Sequence, residues 1–151
     1  MPQLVAADPQ FAARVRASFA RQAVMQLIGA TLEEVTAGAA EIRLPFRADL
    51  TQQHGFLHAG IVTTVVDSAC GFAALSLMPP QTGVLSVEYK VNLLAPARGG
   101  HFLARGRVLR AGRTILVCAG DVFAVQEGEE TLVATMLATM MAIRDRPGVL
   151  D

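Results

Sequence analysis

Residues 59–78 (AGIVTTVVDSACGFAALSLM) form a long apolar stretch with one acid, Asp67, near its middle. A stretch of this length must be either a membrane span or a helix buried in a soluble core. Asp67, together with Thr63, Thr64, Ser68, Gly71 and Ser76, argues against lipid, where polar groups are costly. The rest of the chain alternates as half-buried strands do, so a buried central helix is expected. An ionised carboxylate flanked by Val65, Val66, Ala69 and Cys70 is expensive unless it is paired or working.

The elements around this helix read in order. Residues 9–28 place Phe11, Val15, Phe19, Val24, Leu27 and Ile28 at mixed helical spacings, closed by Gly29. Thr31–Thr36 and Ala39–Phe46 read as a hairpin about Gly38. Residues 47–57 are a polar loop, and 58–77 the central helix, stopped by Pro79-Pro80. Strands follow at about 83–94, 101–111, 114–126 and 131–143, with Arg144–Asp151 as a frayed tail. One long helix before a run of antiparallel strands predicts an α+β fold, its sheet of about five to six strands wrapped on the helix, with a further N-terminal helix. Residues 1–151 read as a single domain, its core about 20–143.

Charge and cysteine usage exclude several function classes. Thirteen basic residues balance thirteen acidic ones, so nothing steers the chain towards nucleic acid or an anionic membrane. Cys70 and Cys118 lie in apolar runs without metal-type spacing and read as buried free thiols of a reducing cytoplasm. The N-terminus has no basic region or long apolar run of the kind export signals carry. No His, Cys and Asp cluster has ligand spacing, so no metal or other cofactor is expected.

The chemistry concentrates in residues 52–67. A helix start offers unpaired N–H groups and the positive end of a dipole to a developing negative charge. Here that start, at Ala59 and Gly60, follows a loop carrying Gln52, His54 and His58, and Asp67 lies further along the same helix. These are the parts of an acyl-transfer site: oxyanion donors, a loop amide and imidazole, and a base or nucleophile. His58 and Asp67 are nine residues apart, hence on opposite helix faces and about 13 Å apart along the axis. One chain cannot easily bring both to a single carbon. Two chains related by a two-fold axis can, which predicts a site shared between subunits if both act.

The spacing of Gln52, Gly55, His58, Gly60 and Asp67 resembles the signature of hotdog-fold acyl-CoA thioesterases. Within the 4-hydroxybenzoyl-CoA thioesterase superfamily it is most similar to the phenylacetate-pathway, PaaI-like branch. The resemblance covers about residues 20–143. It departs from the pattern at Ala59, where the branch has Gly, and at Gln52, where Asn is commoner. The methyl of Ala59 crowds the thioester, although its N–H remains. The resemblance implies the hotdog fold and hydrolysis of a small-molecule acyl-CoA. It also implies a homodimer paired into a homotetramer. On this reading Ala59 and Gly60 supply oxyanion N–H groups, Gln52 orients a water or the carbonyl, and Asp67 attacks the thioester or deprotonates water. Ser86, ten residues before Pro96, would help hold that water, Gly71 offering no hydroxyl. Arg110 and Arg113, in the turn between two strands, would grip coenzyme A phosphates, with Asn92 and Lys90 adding polar contacts.

Each residue has a purely structural role open to it. Asp67 could bond helix N–H groups or a hidden Arg, and His58 could position the helix start rather than transfer protons. Gln52 and His54 could be loop surface, Ser86 an ordinary strand start, and the Arg110–Arg113 turn a charged hairpin tip. Two other classes stay open: a hotdog hydratase or dehydratase, and a non-catalytic acyl-CoA sensor. Asp67 argues against the sensor.

Overall fold

The computed structural model describes residues 4–151. The expected N-terminal helix is in fact two, α1 (Phe11–Arg21) and α2 (Ala23–Ile28). The break follows from the burial pattern. Val15 is fully buried in α1, and Met25 and Ile28 are buried in α2. From Val15 to Met25 is ten residues, a turn of roughly 1000°, so in one straight helix they would face about 80° apart. Gln22, extended at φ −79° and ψ 92°, resets the phase between them. Gly29 ends α2 in the left-handed region at φ 76°, and the next N–H, of Ala30, closes back on the Met25 carbonyl at 2.9 Å. This is the glycine stop that Gly29 signalled.

Six strands form one antiparallel sheet: β1 (Thr31–Thr36), β2 (Ala39–Pro45), β3 (Gly83–Leu93), β4 (His101–Ala111), β5 (Ile115–Gln126) and β6 (Glu129–Ile143). Their spatial order is β1-β2-β4-β5-β6-β3. β6 starts two residues before its expected beginning. The β5–β6 hairpin closes on Glu127 and Gly128 alone, both at positive φ (53° and 85°), the two-residue turn whose twist matches that of the strands.

The central helix, α3 (Ala59–Leu75), lies against the inner face of the sheet. Two glycines facing each other across β4 and β5, Gly106 and Gly120, let it approach. A Cβ on Gly106 would lie 2.3 Å from the Ala69 backbone, and one on Gly120 would lie 2.5 Å from a Val66 methyl. Ten of the seventeen helix residues are buried, which explains why so apolar a segment needs no lipid. Among the described residues no helix is long and apolar enough to cross a membrane.

Beyond its last turn α3 leaves carbonyls to satisfy. Arg14 reaches across from α1 and donates to the carbonyls of Leu75 (3.3 Å), Met78 (2.5 Å) and Pro79 (2.9 Å). Its Nε lies 3.2 Å from the buried Asp8 carboxylate, off line for a hydrogen bond. The C-terminal segment, expected to fray, instead folds back. The Asp151 carboxylate accepts from Ser18 and from Arg21 of α1, the latter at 2.6 Å. The Val149 carbonyl also packs where a Cβ on Gly83 would stand. Terminal position alone says nothing about such docking, because it depends on contacts far away in sequence.

β3 is an edge strand, paired only with β6. Its Leu85, Val87, Tyr89 and Leu93 are about half exposed. A long apolar edge with unpaired backbone groups is a template for another strand.

Candidate active site

The loop before α3 is shaped by its own polar groups. Gly55 takes φ 82°, and its N–H meets the Gln52 carbonyl at 3.0 Å. The Gln52 N–H meets the Phe56 carbonyl at 2.9 Å. The Gln52 side-chain oxygen accepts from the His54 N–H. That leaves the carboxamide nitrogen of Gln52, a donor, to act outward. His54 is exposed and has no further role among the described contacts.

His58 caps α3 with its ring: Nδ1 accepts from the Gly60 N–H at 2.8 Å. An accepting Nδ1 leaves Nε2 as the ring's donor on an exposed residue. The Gly60 N–H is therefore engaged by the His58 ring. The N–H of Ala59 has no partner among the described residues and remains as the donor of the helix start. Ala59 and Gln52 line one cavity of about 370 Å³, with Phe56, Val62, Leu93 and Pro96.

Asp67 opens elsewhere. It lies on the face of α3 shared with Gly60, Thr63, Thr64 and Ser68, in an open groove of about 440 Å³ against Tyr89 and Val91 of β3. A smaller chamber of about 80 Å³ adjoins it, between Gly71, Phe72, Val84 and Ser86. Ser86 donates to Asp67 Oδ1 at 2.7 Å, which places the sequence-predicted serine against the sequence-predicted acid. Burial holds the Asp67 carboxyl above the usual carboxylate range, opposed in part by the Ser86 hydrogen bond. No basic side chain pairs with it among the described residues, so the hidden-Arg alternative finds no partner.

A single chain thus separates the donors from the carboxylate. Gln52 and Ala59 share one cavity, and Asp67 and Ser86 another, eight residues further along the helix, or about 12 Å.

The coenzyme-binding candidates are scattered. Arg110 and Arg113 are exposed at the β4–β5 turn. That turn lies at the Gly83 end of the sheet, since Ile115 and Leu85 both pair with Met141. The Gln52 cavity is at the opposite, Leu93 end. Asn92 accepts from Lys90 Nζ at 3.0 Å, on the face of β3 turned away from Tyr89 and Val91. It lines neither cavity beside α3.

Two residues near the cavities went unnoticed in the sequence. Arg98 sits over the Phe56 ring at 5.0 Å, beside the Gln52 cavity. Gln22, at the α1–α2 break, accepts from Ser68 at 3.2 Å and lines both cavities that contain Asp67. Arg98 was signalled only by its loop, and Gln22 by nothing. Cys70 and Cys118 are buried and free, their thiols pushed up by burial, that of Cys118 to about 12. Neither is a nucleophile in that state.

Comparisons with known proteins agree with this architecture. The family described as the thioesterase superfamily matches residues 54–131. The crystal structure of a thioesterase family protein from Silicibacter pomeroyi is 51% identical, with a TM-score of 0.87, over 89% of this chain and 98% of that one. A conserved protein of Pseudomonas aeruginosa is 30% identical, with a TM-score of 0.73, over 81% of this chain and 94% of that one. The E. coli PaaI protein from the phenylacetic acid degradation operon shares the fold, with a TM-score of 0.79 at 18% identity, over 89% and 94% of the two chains.

Proposed function

The chain belongs to the thioesterase superfamily and has its hotdog fold, and from that premise we propose that it hydrolyses an acyl-CoA thioester in a site built by two subunits. The observation that carries the reading is the separation of donors from carboxylate within one chain. A two-fold partner supplies what each half lacks. The open β3 edge, with its exposed apolar side chains, is the surface that would receive it. Pairing of two such dimers would give the tetramer.

In this site the thioester oxygen sits against the Ala59 N–H and the Gln52 carboxamide nitrogen. Both donors are fixed before the reaction, so they stabilise the developing oxyanion without reorganising. Asp67 of the other subunit then attacks the carbonyl carbon, giving an anhydride that water cleaves, or it takes a proton from the water that attacks. Either route breaks the carbon–sulfur bond and releases the acid and coenzyme A. Ser86 fixes the Asp67 carboxylate, and its hydrogen bond to the ionised form opposes the rise that burial causes. His58 positions the helix start. Arg110 and Arg113 are exposed cations that would grip the phosphates of coenzyme A bound at a neighbouring subunit's site. No cofactor enters this scheme, and buried free thiols suit a cytoplasmic setting.

The test is release of free thiol from a panel of aryl-acetyl, benzoyl and straight-chain acyl-CoAs. A hydrolase liberates it. A hydratase would instead add water across a double bond, and a sensor would bind without turnover. Absence of thiol release across the panel would overturn the proposal.

A further inference from the structure

Gln22 occupies an unusual place for a surface helix residue. It is the last cap of α1 and the first of α2, yet its side chain caps neither. The carboxamide instead reaches α3, where its oxygen accepts from the Ser68 hydroxyl, one residue from Asp67. Its nitrogen has no partner among the described residues. The side chain is half-buried and lines both the open groove and the small chamber beside the carboxylate.

The chamber's remaining walls are apolar or small: Gly71, Phe72 and Val84, with Ser86 at the Asp67 side. Gly71 leaves real space, since a Cβ there would meet nothing within 4 Å. At about 80 Å³ the chamber holds roughly one water's share of space three times over, or a short run of carbons. Ser86 is already spent on Asp67 and Ser68 on Gln22. Among these side chains the Gln22 amide is the donor left for a ligand.

We propose that this chamber receives the distal end of the acyl group, and that Gln22 is a specificity-determining residue that favours a short acyl group carrying a hydrogen-bond acceptor there. The proposal rests on the acyl-CoA reading above. A wholly apolar acyl group of equal size would strip water from the amide and return nothing, and an unmade hydrogen bond costs more than a made one gains. For a half-buried amide this amounts to about tenfold in affinity. Gly71 sets the depth of the chamber.

The test uses binding, so that it does not depend on turnover. Calorimetry would compare two non-hydrolysable coenzyme A thioethers, one with a straight four-carbon group and one with the same group bearing a terminal hydroxyl. The wild-type protein should favour the hydroxylated ligand by about tenfold, and Gln22→Leu should bring that ratio close to one. A merely structural role at the α1–α2 junction would weaken both ligands equally and leave the ratio unchanged. Gly71→Leu, which fills the chamber, should weaken both four-carbon ligands relative to a two-carbon thioether. An unchanged ratio in Gln22→Leu, or no preference in the wild type, overturns the assignment, as does failure of both thioethers to bind. Thiol release by a wild type without the preference would show that the hydrolase reading survives the loss of this one.

Discussion

Asp67 carries opposed demands. Partial burial raises its pKa, and the Ser86 hydroxyl lowers it again. If the carboxylate acts ionised, kcat/KM should rise with pH through an apparent pKa above the ordinary 3.8. Ser86→Ala removes the lowering contact, so the acid limb should move to higher pH. A pH–rate profile of both proteins checks this, and an unmoved limb would remove Ser86 from the site. Asp67→Asn should stay folded and lose roughly 10²–10⁴-fold in kcat. It should also melt at a higher temperature than the wild type near neutral pH. A raised folded-state pKa means that the native protein holds this proton more tightly than the unfolded chain. The stability it contributes is therefore present below the unfolded pKa and lost as pH rises through the folded one. The advantage of Asn should accordingly shrink as pH falls towards 4. Thermal melts at a series of pH values measure it directly.

At the scale of the element, α3 is held by what packs under it and by what caps it. Gly106 and Gly120 were not singled out in the sequence, because each follows an unremarkable strand pattern. Their role comes from a helix more than thirty residues away, whose backbone Gly106 faces. Gly106→Ala drives a methyl into that backbone, which has no flexible end to yield. A loss of about 3 kcal/mol is expected from overpacking, read as a lowered denaturant midpoint. The capping of α3 by Arg14 is equally non-local. By contrast, the start and stop of α3 were legible, because His58, Ala59 and Pro79-Pro80 act on the backbone within a turn of themselves. The missed break at Gln22 shows the limit. No Gly or Pro marks it, and two buried stripes out of phase in one continuous helix demanded it.

For the whole molecule, the separated half-sites make a sharp expectation. Mixing Gln52→Ala protein with Asp67→Asn protein, under conditions where subunits exchange, should restore about a quarter of wild-type activity. Half of the dimers are then hybrids, and each hybrid has one intact site of two. If exchange is demonstrated by mass and no activity returns, the site is not composite. The arginine turn belongs to this scale too, because within one subunit it stands at the wrong end of the sheet. Changing Arg110 and Arg113 to Ala should raise KM for acyl-CoA about fivefold at low salt, the modest effect expected of exposed ion contacts. KM for a truncated thioester without the nucleotide should stay constant. Equal changes for both substrates would return the turn to a solvated hairpin tip.

By itself the sequence determined the α+β class, the central helix and its acid, the order of the strands along the chain and the spacing of Gln52, His58 and Asp67. These follow from periodicity and capping, which act over a few residues. Only the tertiary structure decided that Ser86 meets Asp67, that the Gly60 N–H is spent on His58, and that Asn92 turns away. It also brought Gln22 to Ser68, beside the acid, and docked the tail on α1. Each of those depends on which distant segments share a face once the sheet has closed on the helix. Such pairings are set by the packing of the whole core, and no local pattern encodes them.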